Sequence, residues 1–262
     1  MPDSLPVPFF DPMRWTTAGE QIPGPGEIHV WKASLDNWGK RLAEFHTYLS
    51  ELEKKRAERL RFEGLRQRFT AGHAITRLIL GQYLKQEPGE VEIGNLPGGK
   101  PELAGISDQE LKPLQFNLSH SGSMILVSIS RHFDLGIDLE AVQPEFEQGL
   151  VSSHFFSAHE RAWLDNLQTD QKSIAFFQIW TCKEAVLKAE GGGLRRSLEK
   201  VQIEFGQETG TARAILADRF NAGRTWSIKI FEPAAGYTAA LAFENDASAV
   251  VVPKLTFYQW TG

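Results

Sequence analysis

Two short stretches hold residues whose types and spacing could do chemistry: Gly136-Ile137-Asp138-Leu139-Glu140 and Trp180-Thr181-Cys182-Lys183-Glu184-Ala185-Val186-Leu187-Lys188. In an extended strand side chains alternate, so Asp138 and Glu140 share one face while Ile137 and Leu139 take the other. In a helix, residues four apart are neighbours, which sets Glu184 beside Lys188. Two carboxylates as close as Asp138 and Glu140 repel each other, and a cation relieves the repulsion. Together with Glu184 and an ammonium they suit a magnesium-bound phosphate, because magnesium takes oxygen ligands and is held by one or two carboxylates plus substrate phosphates. Lys188 would neutralise a phosphate oxygen as charge develops on a leaving group. The plainer alternatives are a solvated D-x-E on an edge strand and an i,i+4 surface pair worth about 0.2–0.5 kcal/mol. Against the second stand Phe176, Phe177, Ile179, Trp180, Val186 and Leu187, which make the helix apolar over much of its circumference. Charges on such a helix are paired or line a site.

Three further motifs bear on a phosphate ligand. In Ser119-His120-Ser121 the adjacent Ser119 and His120 point to opposite faces of an extended segment, so they do not form a nucleophile–base pair; His120 reads as a donor to a phosphate or as a structural histidine. Gly98-Gly99-Lys100-Pro101 lacks the spacing of a phosphate-cradling loop, yet a lysine in a rigid turn could still reach a phosphate. Residues 53–77 carry eight basic side chains against three glutamates in a chain of net charge −5. Most such runs are a solvated helix face; this one could also steer a phosphate-rich ligand or an acidic protein. It lacks the interleaved aromatics of a nucleic-acid surface.

The elements that must position these residues follow from periodicity. Residues 1–26 hold six prolines and read as an extended arm, and Glu27 to Lys32 alternates as a strand does. Asn37 to Tyr83 is helical, with Phe45, Leu49, Leu52, Leu65 and Phe69 on apolar positions and Gly64, Gly72 and Gly81 as interruptions or caps. Residues 86–113 read mostly as loop. Phe116 to Ser121 leads into a strand at Met124 to Ser130, and a hairpin at Ser130 to Asp134 is expected to pair that strand with Leu135 to Glu140. Helices are expected over 157–168, opened by Ser157 with Glu160 three residues on, and over 170–190, ended by Gly191-Gly192-Gly193. Val201 to Phe205, Trp226 to Phe231 and Tyr237 to Phe243 read as antiparallel strands. Strands and helices do not alternate strictly, so the class is α+β; no internal repeat shows in the letters.

At 262 residues, 42% hydrophobic and 23% charged, the composition is that of an ordinary globular chain. The single Cys182 excludes an intrachain disulfide, and the start lacks a secretory pattern. No apolar run approaches a membrane span. A cytoplasmic protein without nucleic-acid or membrane partners is expected.

The ordered set Gly99-Lys100-Pro101, Phe116 to Ser121, Gly136 to Glu140, Phe155-Phe156-Ser157 to Glu160, Trp180 to Lys188 and Gly191 to Leu194 closely resembles the Sfp-type 4′-phosphopantetheinyl transferases, over roughly residues 58–194. The resemblance implies a monomeric pseudo-dimer, two similar halves (1–132 and 133–262) with the active site and coenzyme A in the cleft between them. It makes Asp138, Glu140 and Glu184 the magnesium ligands and puts Lys188, with Lys183, among the coenzyme A contacts. Lys100, Ser119 and His120 would lie along the adenosine and 3′-phosphate end, with Arg68 in an early nucleotide-contacting segment; Glu160 matches a position of unassigned role. The implied reaction is attack by a serine of an apo acyl or peptidyl carrier protein on the β-phosphorus of coenzyme A, releasing adenosine 3′,5′-bisphosphate. Glu184 is favoured as the base over a water on the metal. A magnesium-dependent phosphohydrolase or nuclease and a non-catalytic carrier-binding protein are the competing classes; an intact Asp138/Glu140/Glu184/Lys188 set argues against the second.

Overall fold

Alternation along Glu27–Ser34 sends Trp31 and Ala33 into one core and Ile28 and Val30 into another, so this strand lies between two packed layers. The computed structural model describes residues 13–17, 22–104, 114–144, 149–191, 198–206, 208–216, 224–246 and 252–262. The N-terminal half runs β1 (Trp15–Thr16), β2 (Glu27–Ser34), α1 (Leu42–Tyr48), α2 (Glu51–Arg59), α3 (Glu63–Leu84), β3 (Ile93–Asn95), β4 (Pro101–Leu103), β5 (Gln115–Ser121) and β6 (Met124–Ser130). Then come β7 (Leu135–Ala141), α4 (Gly149–Phe155), α5 (Ala158–Asp165), α6 (Thr169–Glu190), β8 (Val201–Phe205), β9 (Thr211–Leu216), β10 (Arg224–Phe231), β11 (Tyr237–Asp246) and β12 (Lys254–Gln259). One sheet has the order β1-β12-β2-β6-β5 and the other β7-β11-β10-β9-β8; β3 and β4 pair alone.

The two halves repeat one plan, as the α+β pseudo-dimer requires. In each, the first long strand pairs antiparallel with the second arm of a hairpin, β2 with β6 and β7 with β11. In each, a 22-residue helix, α3 or α6, packs on the sheet. The strand that breaks the plan is β12, which leaves the C-terminal half and joins the first sheet parallel to β2. Neither β9 nor β12 was expected from the letters.

Two local expectations fail for physical reasons. The hairpin expected at Ser130 to Asp134 does not form: β6 pairs with β5 across a turn at Gly122 (φ 56°), and β7 pairs with β11. The 130–134 link instead crosses from sheet to sheet. Ser130 Oγ donates to the Glu27 carbonyl and accepts from the amides of His132 and Phe133, which seats Phe133 in the core shared by both sheets. Nor do Gly64, Gly72 and Gly81 interrupt a helix, since α3 runs through all three and ends at Lys85 in the left-handed region (φ 55°). Gly81 is there because the chain folds back on the helix: a Cβ would lie 2.7 Å from the Gln86 carbonyl oxygen. The helical breaks fall at Leu49–Ser50 and Leu60–Phe62, and Leu52 and Leu65, spaced like core residues, are exposed. Gly192, Gly193 and most of the N-terminal arm lie outside the described residues.

Helix α6 packs closely on β7 at Gly136. A Cβ at this position would overlap the backbone of Ala185 and Ala189, a collision that no rotamer relieves. Gly136→Ala is therefore expected to cost at least about 3 kcal/mol, at or beyond the upper end of ordinary overpacking. Urea unfolding of purified protein measures this, and a loss under about 0.5 kcal/mol would show that the helix does not press on the strand.

Candidate active site

Where the two sheets meet, β5 and β7 lie side by side, joined by side chains rather than by a backbone ladder. Asn117 Oδ1 accepts from the Ile137 amide (2.9 Å), and Ser121 Oγ accepts from the Ala141 amide (3.0 Å) while donating to Glu140 Oε2 (2.8 Å). Between them Ser119 Oγ donates to Asp138 Oδ1 (2.9 Å). Alternation on β5 aims Asn117, Ser119 and Ser121 at this seam and leaves His120 on the other side, exposed. Alternation on β7 likewise buries Ile137 and Leu139 in the inter-sheet core and turns Asp138 and Glu140 toward α6 and β5.

Helix α6 completes the site. Lys188 Nζ donates to Asp138 Oδ1 (2.7 Å) and to Ser119 Oγ (2.9 Å), closing a triangle of two hydroxyl or carboxylate acceptors around one ammonium. Burial, then the charge of Asp138, raises the carboxyl of Glu184 above its ordinary range. Burial raises that of Glu140 too, Asp138 adds to the shift, and the Ser121 hydrogen bond opposes it. Above the seam opens a cleft of about 780 Å³, walled on one side by α2 and α3 and on the other by α6. Trp180 and Phe155, edge to face at 5.9 Å, form its apolar end. Lys100 lines it, but its ammonium donates to the Ala189 carbonyl (2.8 Å), a cation on the last turn of α6.

Among the described residues no three His, Cys, Asp or Glu side chains converge in metal-ligand geometry, and Lys188 sits against Asp138 instead. The donor chemistry nevertheless fits a hard dication. The carboxylates of Asp138, Glu140 and Glu184 are near enough for each charge to bear on the others, and Asp138 Oδ2 is buried without a hydrogen-bond partner. Such an orphaned oxygen is costly unless something binds it.

Two expected site residues stand elsewhere. Lys183 is 0% exposed on the far side of α6, paired with Glu160 Oε2 at 2.9 Å and donating to the carbonyls of Leu198 and Val201. Three acceptors fill its three donors, so it has none to offer a ligand in the cleft. Arg68 pairs with Asp36 (2.8 Å) beside a separate, smaller hollow. Glu160 acquires a role: it closes the capping box on Ser157, accepts from the Ile203 amide (2.9 Å) and neutralises Lys183. His73 was missed altogether, and Glu53 and Arg56 entered only as members of the charged run 53–77; all three line the cleft from α2 and α3. The signal was present, because Ser50-x-x-Glu53 is the same capping-box pattern as Ser157-x-x-Glu160.

A carboxylate–lysine constellation lies at the cleft between two similar α+β halves, and comparison with known proteins shows the class of protein to which it belongs. The profile of the 4′-phosphopantetheinyl transferase superfamily matches residues 134–242, and that of the 4′-phosphopantetheinyl transferase N-terminal domain matches residues 29–132. The 4′-phosphopantetheinyl transferase HetI of Nostoc sp. is 37% identical over 216 residues, 82% of this chain and 87% of that one. Sfp of Bacillus subtilis is 24% identical over 216 residues, 80% of this chain and 91% of its own. AcpT of Escherichia coli K12 is 37% identical over 127 residues, 48% of this chain and 59% of its own. The chain belongs to the 4′-phosphopantetheinyl transferase superfamily, and it is a transferase enzyme of that type.

The Lys183–Glu160 pair gives a direct test of its structural role. Removing one member of a buried pair strands the other charge at a cost of about 3–5 kcal/mol. Lys183→Met should lower stability by that amount, and adding Glu160→Gln should recover part of the loss, because the stranded charge is gone while the amide still caps α5. Guanidinium unfolding of both variants decides it; a double variant less stable than the single one contradicts the pairing.

Proposed function

We propose that the protein transfers the 4′-phosphopantetheine group of coenzyme A to a serine hydroxyl of an apo acyl or peptidyl carrier protein, releasing adenosine 3′,5′-bisphosphate. The reading is carried by the Lys188–Ser119–Asp138 triangle beside the cleft, where Lys188 and Glu184 line the space a pyrophosphate would fill and Asp138 is hydrogen-bonded behind Lys188. The transferase names of the relatives support it. Asp138, Glu140 and Glu184 are the residues to hold a magnesium ion, which when bound withdraws charge from the pyrophosphate oxygens and weakens the bond to the leaving nucleotide. Lys188 donates to the phosphate oxygens on which negative charge grows. Glu184, one turn before Lys188 on the cleft side of α6, takes the serine proton. The serine oxygen–phosphorus bond forms, the phosphorus–oxygen bond to the nucleotide breaks, and the nucleotide departs with that electron pair. Both walls of the cleft come from one chain, which suits a monomer.

Purified protein with magnesium and coenzyme A should add one phosphopantetheine mass to an apo carrier protein, and a chelator should abolish the gain. Asp138→Ala and Glu184→Ala should each lower kcat by about 10²–10³-fold or more while circular dichroism stays unchanged. Intact-mass spectrometry reads the outcome. No gain with any of a panel of carriers, or hydrolysis of coenzyme A without one, would replace transfer by a different phosphoryl chemistry.

A further inference from the structure

Strand β11 buries a hydroxyl that packing alone does not explain. Thr238 is 0% exposed, and among the described residues its Oγ1 has no hydrogen-bond partner. The β7 backbone beside it is already taken up in the strand ladder. A buried polar group without a partner costs its desolvation, and valine would fill much the same space without that cost. Strand propensity does not account for the choice either, since valine suits a pleated strand as well as threonine does.

The register shows what the hydroxyl stands beside. On β11, Ala240 and Ala242 pack with α6 while Ala239 and Leu241 face the core between the sheets, so alternation sets Thr238 on the α6 side. Across the ladder Thr238 is opposite Glu140, and Ala240 is opposite Asp138. Directly opposed residues of an antiparallel pair have Cβ atoms about 4.5–5.5 Å apart, within reach of a hydroxyl and a flexible carboxylate. From the β5 side Glu140 is already held, because Ser121 donates to its Oε2. Its two neighbours on the α6 face, Asp138 and Thr238, carry the side-chain oxygens Oδ2 and Oγ1 that are buried without a partner among the described residues. Two orphaned oxygens beside one carboxylate mark a place built to bind something further.

We infer that Thr238 is a positioning residue for Glu140: its hydroxyl donates to the Glu140 carboxylate when that carboxylate holds a divalent cation. The inference rests on the reading of Glu140 as a magnesium ligand. The carboxylate is then gripped by one hydroxyl from each flanking strand, Ser121 of the N-terminal half and Thr238 of the C-terminal half. Hydrogen bonds of this kind fix the orientation of a ligand, and losing one costs about 10–100-fold in metal affinity. Thr238 touches neither the ion nor the substrate and acts only through Glu140. An unsatisfied hydroxyl lowers the stability of the protein without metal, and the gain appears as affinity.

Thr238→Val and Thr238→Ser test this through two readouts that move in opposite directions. Manganese(II), which like magnesium suits oxygen ligands, is titrated into each protein with and without coenzyme A, and its electron paramagnetic resonance signal reports the free ion. Thr238→Val should weaken manganese binding about 10–100-fold and raise the magnesium concentration for half-maximal transfer by a similar factor. KM for coenzyme A at saturating magnesium should stay unchanged. In chelator-treated protein the urea midpoint of Thr238→Val should equal or exceed that of wild type, because an unpaired hydroxyl has been removed. Thr238→Ser keeps the donor and should restore most of the manganese affinity. Three results would overturn the role of Thr238 and leave Glu140 a magnesium ligand: a valine variant that binds manganese as wild type does, one that unfolds earlier without metal, or a serine variant as weak as the valine one. Wild type that binds no manganese under either condition would overturn the metal-ligand reading, and the role of Thr238 with it.

Discussion

Everything about this site depends on the seam between β5 and β7. Two sheet edges brought together present rows of amides and carbonyls that must be satisfied. Here short polar side chains at Asn117, Ser119 and Ser121 do part of that work from β5, two of them accepting amides of β7. A backbone ladder would have joined the sheets into one and closed the gap. Side chains bridge the edges instead, and oxygens of Asp138 and Glu140 are each bonded by a serine of the opposing strand. The carboxylates are thus fixed by the interface between the halves rather than by either half alone.

Helix α6 serves two environments at once, which explains why it can be buried nearly all round and still bear charge. One side packs into the C-terminal core with Ile179, Cys182 and Val186, and there Lys183 is tolerated only because Glu160 and two carbonyls surround it. The other side presents Glu184 and Lys188 to the cleft. The absence of a side chain at Gly136 lets the helix backbone settle onto β7, and that close approach brings Lys188 within hydrogen-bond reach of Asp138.

What the sequence made legible was whatever is fixed locally. Strand alternation put Asp138 and Glu140 on one face, and helical spacing put Glu184 and Lys188 together. The box Ser157–Glu160 opened α5 where its pattern demanded, and Gly191 capped α6 in the left-handed region. The misses share a cause: each was decided by a distant part of the chain. Ser130–Asp134 looked like a turn, but the pairing partner of β7 lies about a hundred residues on in β11. Gly72 and Gly81 looked like helix breakers, whereas Gly81 answers to the returning Gln86 carbonyl. Lys183, adjacent to Glu184, was grouped with the cleft residues although one step along a helix turns a side chain by roughly 100°. His73 carries no local mark, since its significance comes from Glu53, twenty residues earlier on another helix.

The same separation of local from distant information bears on how one plan yields two unlike walls. The halves share strand pairing and a 22-residue covering helix, yet no repeat shows in their letters, because a topology constrains only which positions are apolar. Positions facing the cleft are free of that constraint. The C-terminal half fills them with Glu184 and Lys188, backed by Asp138 and Glu140, whereas the N-terminal half offers Arg56 and His73. A long ligand with unlike ends needs an asymmetric site, and a pseudo-dimer folded from one chain can supply it where two identical subunits would have to place the same residues on both walls. The buried Glu53–Arg77 and Glu160–Lys183 pairs serve both halves alike: each ties a capped helix to its neighbour and so holds the wall that carries these side chains.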